Sequence, residues 1–278
     1  MNLKRPNSKR NLDIAIERIF GKDKNPLQVR TLIANTIIGQ LLPKGVVKGG
    51  SALKLRYGDK TTRFTRDLDT VRVEGLESFL EQLNTSLKDG WNGFTGRIIW
   101  KEPAKPKGVP VEYIMQPFEI KLSYNGKSWL TIPLEIGHDE IGDTNKFDSL
   151  IAQDIIVMFE KLGFPAPKPI ALLQVHHQIA QKLHALSLMG SERAHDMIDL
   201  QVMVINERVD YLLTKNACER LFSFRREQVW PPTIIKGERW DTLYNSQISG
   251  LNVLQSADEA VEWTNDLISA IDKTGILA

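Results

Sequence analysis

Two short groups of residues have the types and spacing for phosphate chemistry. Gly49-Gly50-Ser51 follows the β-branched pair Val46 and Val47 and precedes a helical pattern, Ala52, Leu53, Lys54, Leu55 and Tyr57, that stops at Gly58. Two residues without a Cβ let the backbone turn sharply and come close to a ligand. Ser51 suits a helix N-cap, and the unpaired N–H groups of such a helix start attract a phosphate. Asp67 and Asp69 lie two apart in a segment with strand character (Leu68, Thr70, Val71, Val73), so their side chains share a face, about 6–7 Å apart along the chain. Carboxylates placed like this repel each other unless a cation lies between them, and Mg²⁺ takes one or two carboxylates together with phosphate oxygens. Either motif alone is weak, because Asp-x-Asp arises by chance and Gly-Gly-Ser is often a plain turn. In the order strand, glycine turn, helix, strand they read as a clamp for a metal and a triphosphate.

The rest of the chain must position these groups. Its 278 residues allow one large domain or two lobes. A hydrophobic content of 42% and a charged content of 25% are ordinary for a globular protein, and a net charge of +2 provides no overall basic field to announce nucleic acid. The single Cys218 excludes an intrachain disulfide and fits a reducing cytoplasm. No apolar run reaches signal-peptide or membrane length. The N-terminal stretch with Lys4, Arg5, Lys9 and Arg10 reads as a solvated tail, or as an arm toward RNA phosphates.

Amphipathic helices are expected over Leu12 to Phe20 and Val29 to Leu42, interrupted near Pro26, and over Leu76 to Leu87, ended near Gly90. Lys101 to Pro110 reads as an exposed loop. Phe118, Ile120, Leu122 and Tyr124 alternate with polar neighbours, Asn125-Gly126 supplies a type I′ turn, and Trp129 to Ile136 returns, which is a β-hairpin. Leu130, Ile132, Leu134 and Ile136 share one face of the returning strand, so Glu135 lies on the other; Pro133 implies an edge or irregular strand. A boundary near residue 150 would separate an N-terminal lobe, 1–150, from a mainly helical lobe, 151–278. In the second, Leu172, Val175, Ile179, Leu183 and Leu186 mark a long helix beside whose stripe Lys182 lies, and Arg193 to Val204 forms another, with Asp196 and Asp199 on one face. Leu212 to Phe224 and Ala257 to Ile271 follow. Arg225, Arg226, Lys236, Arg239, Trp230 and Trp240 read either as a grip for an RNA end or as core tryptophans with ordinary surface arginines. His176, His177, His184 and His195 lack the i, i+4 spacing of a zinc site and read as packing residues.

The motifs Lys48-Gly49-Gly50-Ser51-Ala52-Leu53 and Arg63-Phe64-Thr65-Arg66-Asp67-Leu68-Asp69 resemble the AbiEii/AbiGii toxin branch of the DNA polymerase β-like nucleotidyltransferases. Within that branch the chain is most similar to the tRNA-modifying MenT toxins of MenAT toxin–antitoxin systems. The resemblance continues through Lys121-Leu122-Ser123-Tyr124, Ile132-Pro133-Leu134-Glu135, Ile179 to Ala185, Arg193 to Gln201, and Trp230-Pro231-Pro232. It implies an α/β (α+β) bilobed fold, a polymerase β-like lobe with a small mixed sheet followed by a mainly helical lobe, with NTP and Mg²⁺ in the cleft between them.

The resemblance also implies roles. Asp67 and Asp69 would hold metal, and Glu135 would be a third carboxylate on a neighbouring strand. Gly50, Ser51, Arg66 and Lys182 would bind nucleotide. Lys182 would hold the triphosphate, and Asp199 would fix that lysine or handle the acceptor proton. His195 stands before Asp196 where the wider family usually has Arg-Asp, which makes Asp196 a supporting residue and Asp199 the catalytic choice. The implied reaction transfers NMP from an NTP, a pyrimidine nucleotide and CTP above all, to the 3′ end of tRNA. That blocks aminoacylation and growth, and a cognate antitoxin would be the partner. A phosphate on Thr65 would set negative charge beside the Asp pair and silence it. Two other readings stand: a nucleotidyltransferase that modifies a protein or small molecule, and a catalytically idle binding module.

Overall fold

The computed structural model describes residues 4–22, 25–103 and 115–275. Most of the loop expected over Lys101 to Pro110 lies outside these residues, as do the first three residues of the N-terminal tail. The chain divides into two compact units. One comprises Met1–Asp59, Phe64–Asp139 and Phe147–Leu172; the other comprises Lys60–Arg63, Glu140–Lys146 and Leu173–Ala278.

The first unit begins with α1 (Lys9–Phe20), capped by the Ser8 hydroxyl, and α2 (Pro26–Leu41). Pro26 does not merely interrupt the pattern. It is the first residue of α2, where its fixed φ and missing N–H are no handicap, and Asn25 caps it. There follow β1 (Gly45–Lys48), α3 (Gly49–Tyr57), β2 (Leu68–Arg72), α4 (Leu76–Asp89), β3 (Phe94–Trp100), β4 (Gln116–Tyr124), β5 (Lys127–His138), β6 (Phe147–Leu150), α5 (Gln153–Lys161) and β7 (Ile170–Leu173). The seven strands form one sheet in the order β3-β4-β5-β2-β1-β7-β6. The sheet is mixed: β1 runs antiparallel to β2 and parallel to β7, while β2 runs parallel to β5.

The hairpin forms as its turn dictates, with Asn125 and Gly126 at φ 45° and 74° joining β4 to β5. Of the two alternatives that Pro133 offered, an edge or an irregular strand, the first does not hold, since β5 is internal, while its pairing with β4 carries a register shift between Leu122 and Ser123. It pairs with β2 only from Leu134 onward, so the side of β5 that faces β2 still lacks a partner at Pro133. Leu172 belongs to β7 rather than to the helix that follows. The apolar core gathers Phe94, Tyr124, Trp129 and Phe164, with the ring of Phe94 4.5–5.5 Å from the other three.

The second unit is helical: α6 (Val175–Ser187), α7 (His195–Asn206), α8 (Tyr211–Arg225), α9 (Trp240–Asn245) and α10 (Ala257–Lys273). Leu183, Met197, Leu200, Cys218, Leu221, Trp240 and Ile271 are buried in it. Gln201 locks α7 to the later chain, donating to the Tyr244 hydroxyl at 3.0 Å and accepting from the Leu254 N–H at 2.8 Å.

Because Phe94 is fully buried among three other aromatic rings, Phe94→Ala should lower unfolding free energy by about 3–5 kcal/mol, as aromatic truncation in a core does. Urea denaturation of both proteins measures it.

Candidate active site

In the first unit the β1–β2–β5 register assembles the acidic face. Lys48 is the partner of Asp69, and Asp69 is the partner of Glu135, so the three lie in a row across adjacent strands with their side chains on one face. Asp67 sits exposed immediately ahead of β2. Gly49, at φ +65°, occupies the left-handed region, and a Cβ there would collide with the Asp69 carboxylate. The Lys48 ammonium reaches across the sheet toward Gly137, which would have its Cβ 3.6 Å away.

Ser51 departs from its expected place. It is the third residue of α3, and the N-cap position belongs to Lys48, whose side chain makes no capping bond. The Ser51 hydroxyl, buried, donates instead to the Asp67 carbonyl at 2.5 Å and accepts from Asn35 Nδ2 at 3.2 Å. A tertiary partner thus replaces the local cap, and the start of α3 is fixed to the residue at the head of β2. Gly50 is buried in the first turn of α3, Arg66 is exposed, and Thr65 is half-buried in the segment before Asp67.

Among the described residues no group of three or more His, Cys, Asp or Glu side chains forms a ready-made metal cage. The acidic face nevertheless fits a hard divalent cation. Such an ion needs only one or two carboxylates when phosphate supplies the remaining oxygens, and the bare backbone at Gly49 is what lets the Asp69 carboxylate lie against the start of α3.

The second unit holds a buried ion cluster. Lys182, on α6 and 5% exposed, donates to Asp196 Oδ1 and to Asp199 Oδ2, both at 2.7 Å. Asp199 also receives a bidentate pair from Arg63, Nε to Oδ1 and Nη2 to Oδ2, each at 2.9 Å. Arg193 Nε donates to Asp196 Oδ2 at 2.6 Å. Burial alone would push both carboxyls up, but Lys182 with Arg193 beside Asp196, and Lys182 with Arg63 beside Asp199, hold them well below the usual carboxylate range. Burial likewise works against the Arg63 charge, and Asp199 more than offsets it. Burial pushes His195 down to about 4, and the same cause, followed by the nearby Arg225 charge, does so for His184. His184 is not part of this cluster: it packs on Phe222 and faces Arg225 Nη1 through Nδ1 at 3.3 Å.

Sequence reasoning named Lys182, Asp196 and Asp199 but gave Arg63 no role. Its only signal was an arginine four residues ahead of Asp67. The cationic and aromatic C-terminal group is largely engaged within the unit. Trp240 is core and donates to the Ser191 carbonyl; Trp230 donates to Asp272. Arg225 pairs with Glu140, Lys236 with Asp241 and Asp258, and Arg239 with Glu192.

Residues 30–267 match the sequence family described as nucleotidyl transferase AbiEii toxin, type IV toxin–antitoxin system. Among solved structures the chain is similar to MenT4, a nucleotidyltransferase toxin from Mycobacterium tuberculosis H37Rv, with a TM-score of 0.54 and 13% identity over 93% of this chain and 97% of that one. At that identity the likeness is one of fold, and the fold is of the α/β class expected from the sequence. A structure from H. pylori, provisionally assigned as a nucleotidyltransferase, gives a TM-score of 0.47 at 16% identity, covering 89% of this chain and 94% of that one. No curated protein sequence matches the chain. No helix among the described residues is long and apolar enough to cross a membrane.

Two predictions follow from the ion cluster and the histidines. Lys182→Ala removes one of the two cations on each buried carboxylate and, because Arg63 stays on Asp199 and Arg193 on Asp196, should cost about 1–3 kcal/mol of stability, less than full stranding of a buried charge; Asp196→Asn in the same chain should recover part of it. Both are read by urea denaturation. His184 and His195, at about 4 when folded, take up protons near 6.5 when unfolded. The unfolded chain therefore binds more protons between those values, and stability falls as pH drops from 6.5 toward 4. The carboxylates Asp196 and Asp199 add a second loss below the ordinary carboxylate range. His184→Gln should flatten the first slope by about one proton, roughly 1.4 kcal/mol per pH unit.

Proposed function

We propose that this chain, which belongs to the AbiEii nucleotidyl transferase toxin family of type IV toxin–antitoxin systems, transfers NMP from an NTP to the 3′ end of tRNA in a Mg²⁺-dependent reaction. The observation that carries the reading is the register that sets Asp69 and Glu135 side by side on one face of parallel strands, with Asp67 at the head of β2.

In this reading Asp67 and Asp69 hold the metal, which when bound offsets charge on the attacking and leaving oxygens. The start of α3, at Gly50 and Ser51, receives phosphate on its free N–H groups, and Arg66 adds a cation. Lys182 carries the triphosphate. Asp199, with both oxygens already accepting from cations, is a poor base and serves to fix Lys182. Glu135 is the better candidate to take the proton from the acceptor hydroxyl as it attacks the α-phosphorus and pyrophosphate leaves. CTP is the expected donor, a cognate antitoxin the expected partner and loss of aminoacylation the expected consequence.

The test incubates purified protein with total tRNA, Mg²⁺ and each α-labelled NTP in turn, beside Asp69→Ala. Label should enter tRNA with one nucleotide and fall at least about a hundredfold in the variant, as expected for loss of a group that stabilises the transferring phosphoryl. Label on protein or on a small molecule, with none on RNA, would replace this substrate with the other.

A further inference from the structure

The ion cluster of the second unit contains three cations, Arg63, Lys182 and Arg193, and two carboxylates, Asp196 and Asp199. Lys182 sits between the carboxylates and contacts both at 2.7 Å. A lysine held in this way cannot turn to an incoming anion unless something else compensates the carboxylates it leaves, because a stranded buried charge is costly. The other two cations already do this. Arg63 covers both oxygens of Asp199, at 2.9 Å each, and Arg193 covers Oδ2 of Asp196 at 2.6 Å. The Arg63 fork is itself held, since Nη1 donates to Gln247 Oε1 at 3.2 Å and the side chain is 11% exposed. A planar guanidinium matches a carboxylate in two parallel bonds, which an ammonium cannot do.

We propose that Arg63 is a positioning residue for polyphosphate binding: as the standing counter-ion of Asp199, it releases the Lys182 ammonium to take a polyphosphate group. The inference rests on the reading in which Lys182 carries the triphosphate, and it adds the residue that makes that lysine available. Arg63 itself does not touch the phosphate. Without Arg63, Asp199 would depend on Lys182 alone, and every anion would compete with a buried ion pair.

The probe is inorganic tripolyphosphate, titrated calorimetrically into four proteins: wild type, Arg63→Met, Asp199→Asn and the double variant, with a melting curve for each. Arg63→Met should weaken binding about tenfold in the wild-type background but less than about threefold in the Asp199→Asn background, where the carboxylate that Arg63 compensates is gone and Asp196 keeps its own counter-ion in Arg193. Equal losses in both backgrounds would overturn the proposal, since a direct phosphate contact, a general field effect or a merely structural role gives the same loss in each. Unchanged binding in Arg63→Met would overturn it too. Arg63→Gln, which keeps bulk and a hydrogen-bond donor, replaces the Met variant in the same cycle if that protein melts too low to titrate. Wild-type protein that binds no tripolyphosphate would overturn the reading of Lys182 itself, a result distinct from either of the others.

Discussion

Charge removed from water must be matched, and this constraint shapes both units. In the second, two carboxylates lie buried on α7, and each has two cationic partners. Burial alone would push them toward the protonated form. They stay ionised because Lys182, Arg63 and Arg193 arrive from α6, from the segment 60–63 and from the residues just ahead of α7. The helices of this unit are therefore held by ionic contacts as well as apolar packing, and the geometry of α6 against α7 is the one that brings a lysine within 2.7 Å of both aspartates. In the first unit the acidic groups are arranged differently. Asp69 and Glu135 are half-buried and Asp67 is exposed, so water and a bound cation can share the compensation.

The sheet gives the acidic face its specificity. Parallel pairing of β2 with β5 makes Asp69 and Glu135 direct neighbours, and side chains alternate faces along a strand. A slip of one residue in β5 would carry Glu135 to the opposite face and turn Leu134 toward the acidic one. The apolar alternation of Leu130, Ile132, Leu134 and Ile136 resists that slip, because it would expose the whole stripe. The core thus fixes the register, and the register fixes the carboxylate spacing. At the other end of the same short structure, Gly49 lets the backbone pass close to Asp69, and the Ser51 hydroxyl ties α3 to the Asp67 carbonyl.

Features with local causes were legible in the sequence. The Asn125-Gly126 turn, the helices α4 and α10, and the stop of α3 at Gly58 each depend on a few consecutive residues. Features fixed by distant partners were not. Ser51 has the chemistry of an N-cap, but a carbonyl 16 residues away accepts its proton. Arg63 looks like one more charge in a polar run, and its partner Asp199 lies 136 residues further on. Pro133 argued for an edge or irregular strand, and the period of β5 could not decide between them because it says nothing about where β2 begins to pair with it. Strand β3, interrupted by Gly96, and helix α5, set between a glycine-rich and a proline-rich stretch, lacked a clean period and were missed.

The same reasoning accounts for the histidine at 195. An arginine directly before Asp196 would place a cation beside a buried carboxylate. Here the preceding residue is a histidine that burial keeps neutral, its Nε2 3.8 Å from Asp196 Oδ1. The missing charge comes instead from Arg193, three residues back, whose guanidinium reaches Asp196 Oδ2 from a side chain that is half exposed. Because that spacing matches the rise of a helical turn, the arginine can stand outside α7 and still meet a carboxylate in its first turn. The second cation of Asp196 therefore comes from three residues back along the chain and not from the residue directly before it. Asp196 has Arg193 and Asp199 has Arg63 as a second cation beside the shared lysine, so the two arginines flank Lys182 with one carboxylate each.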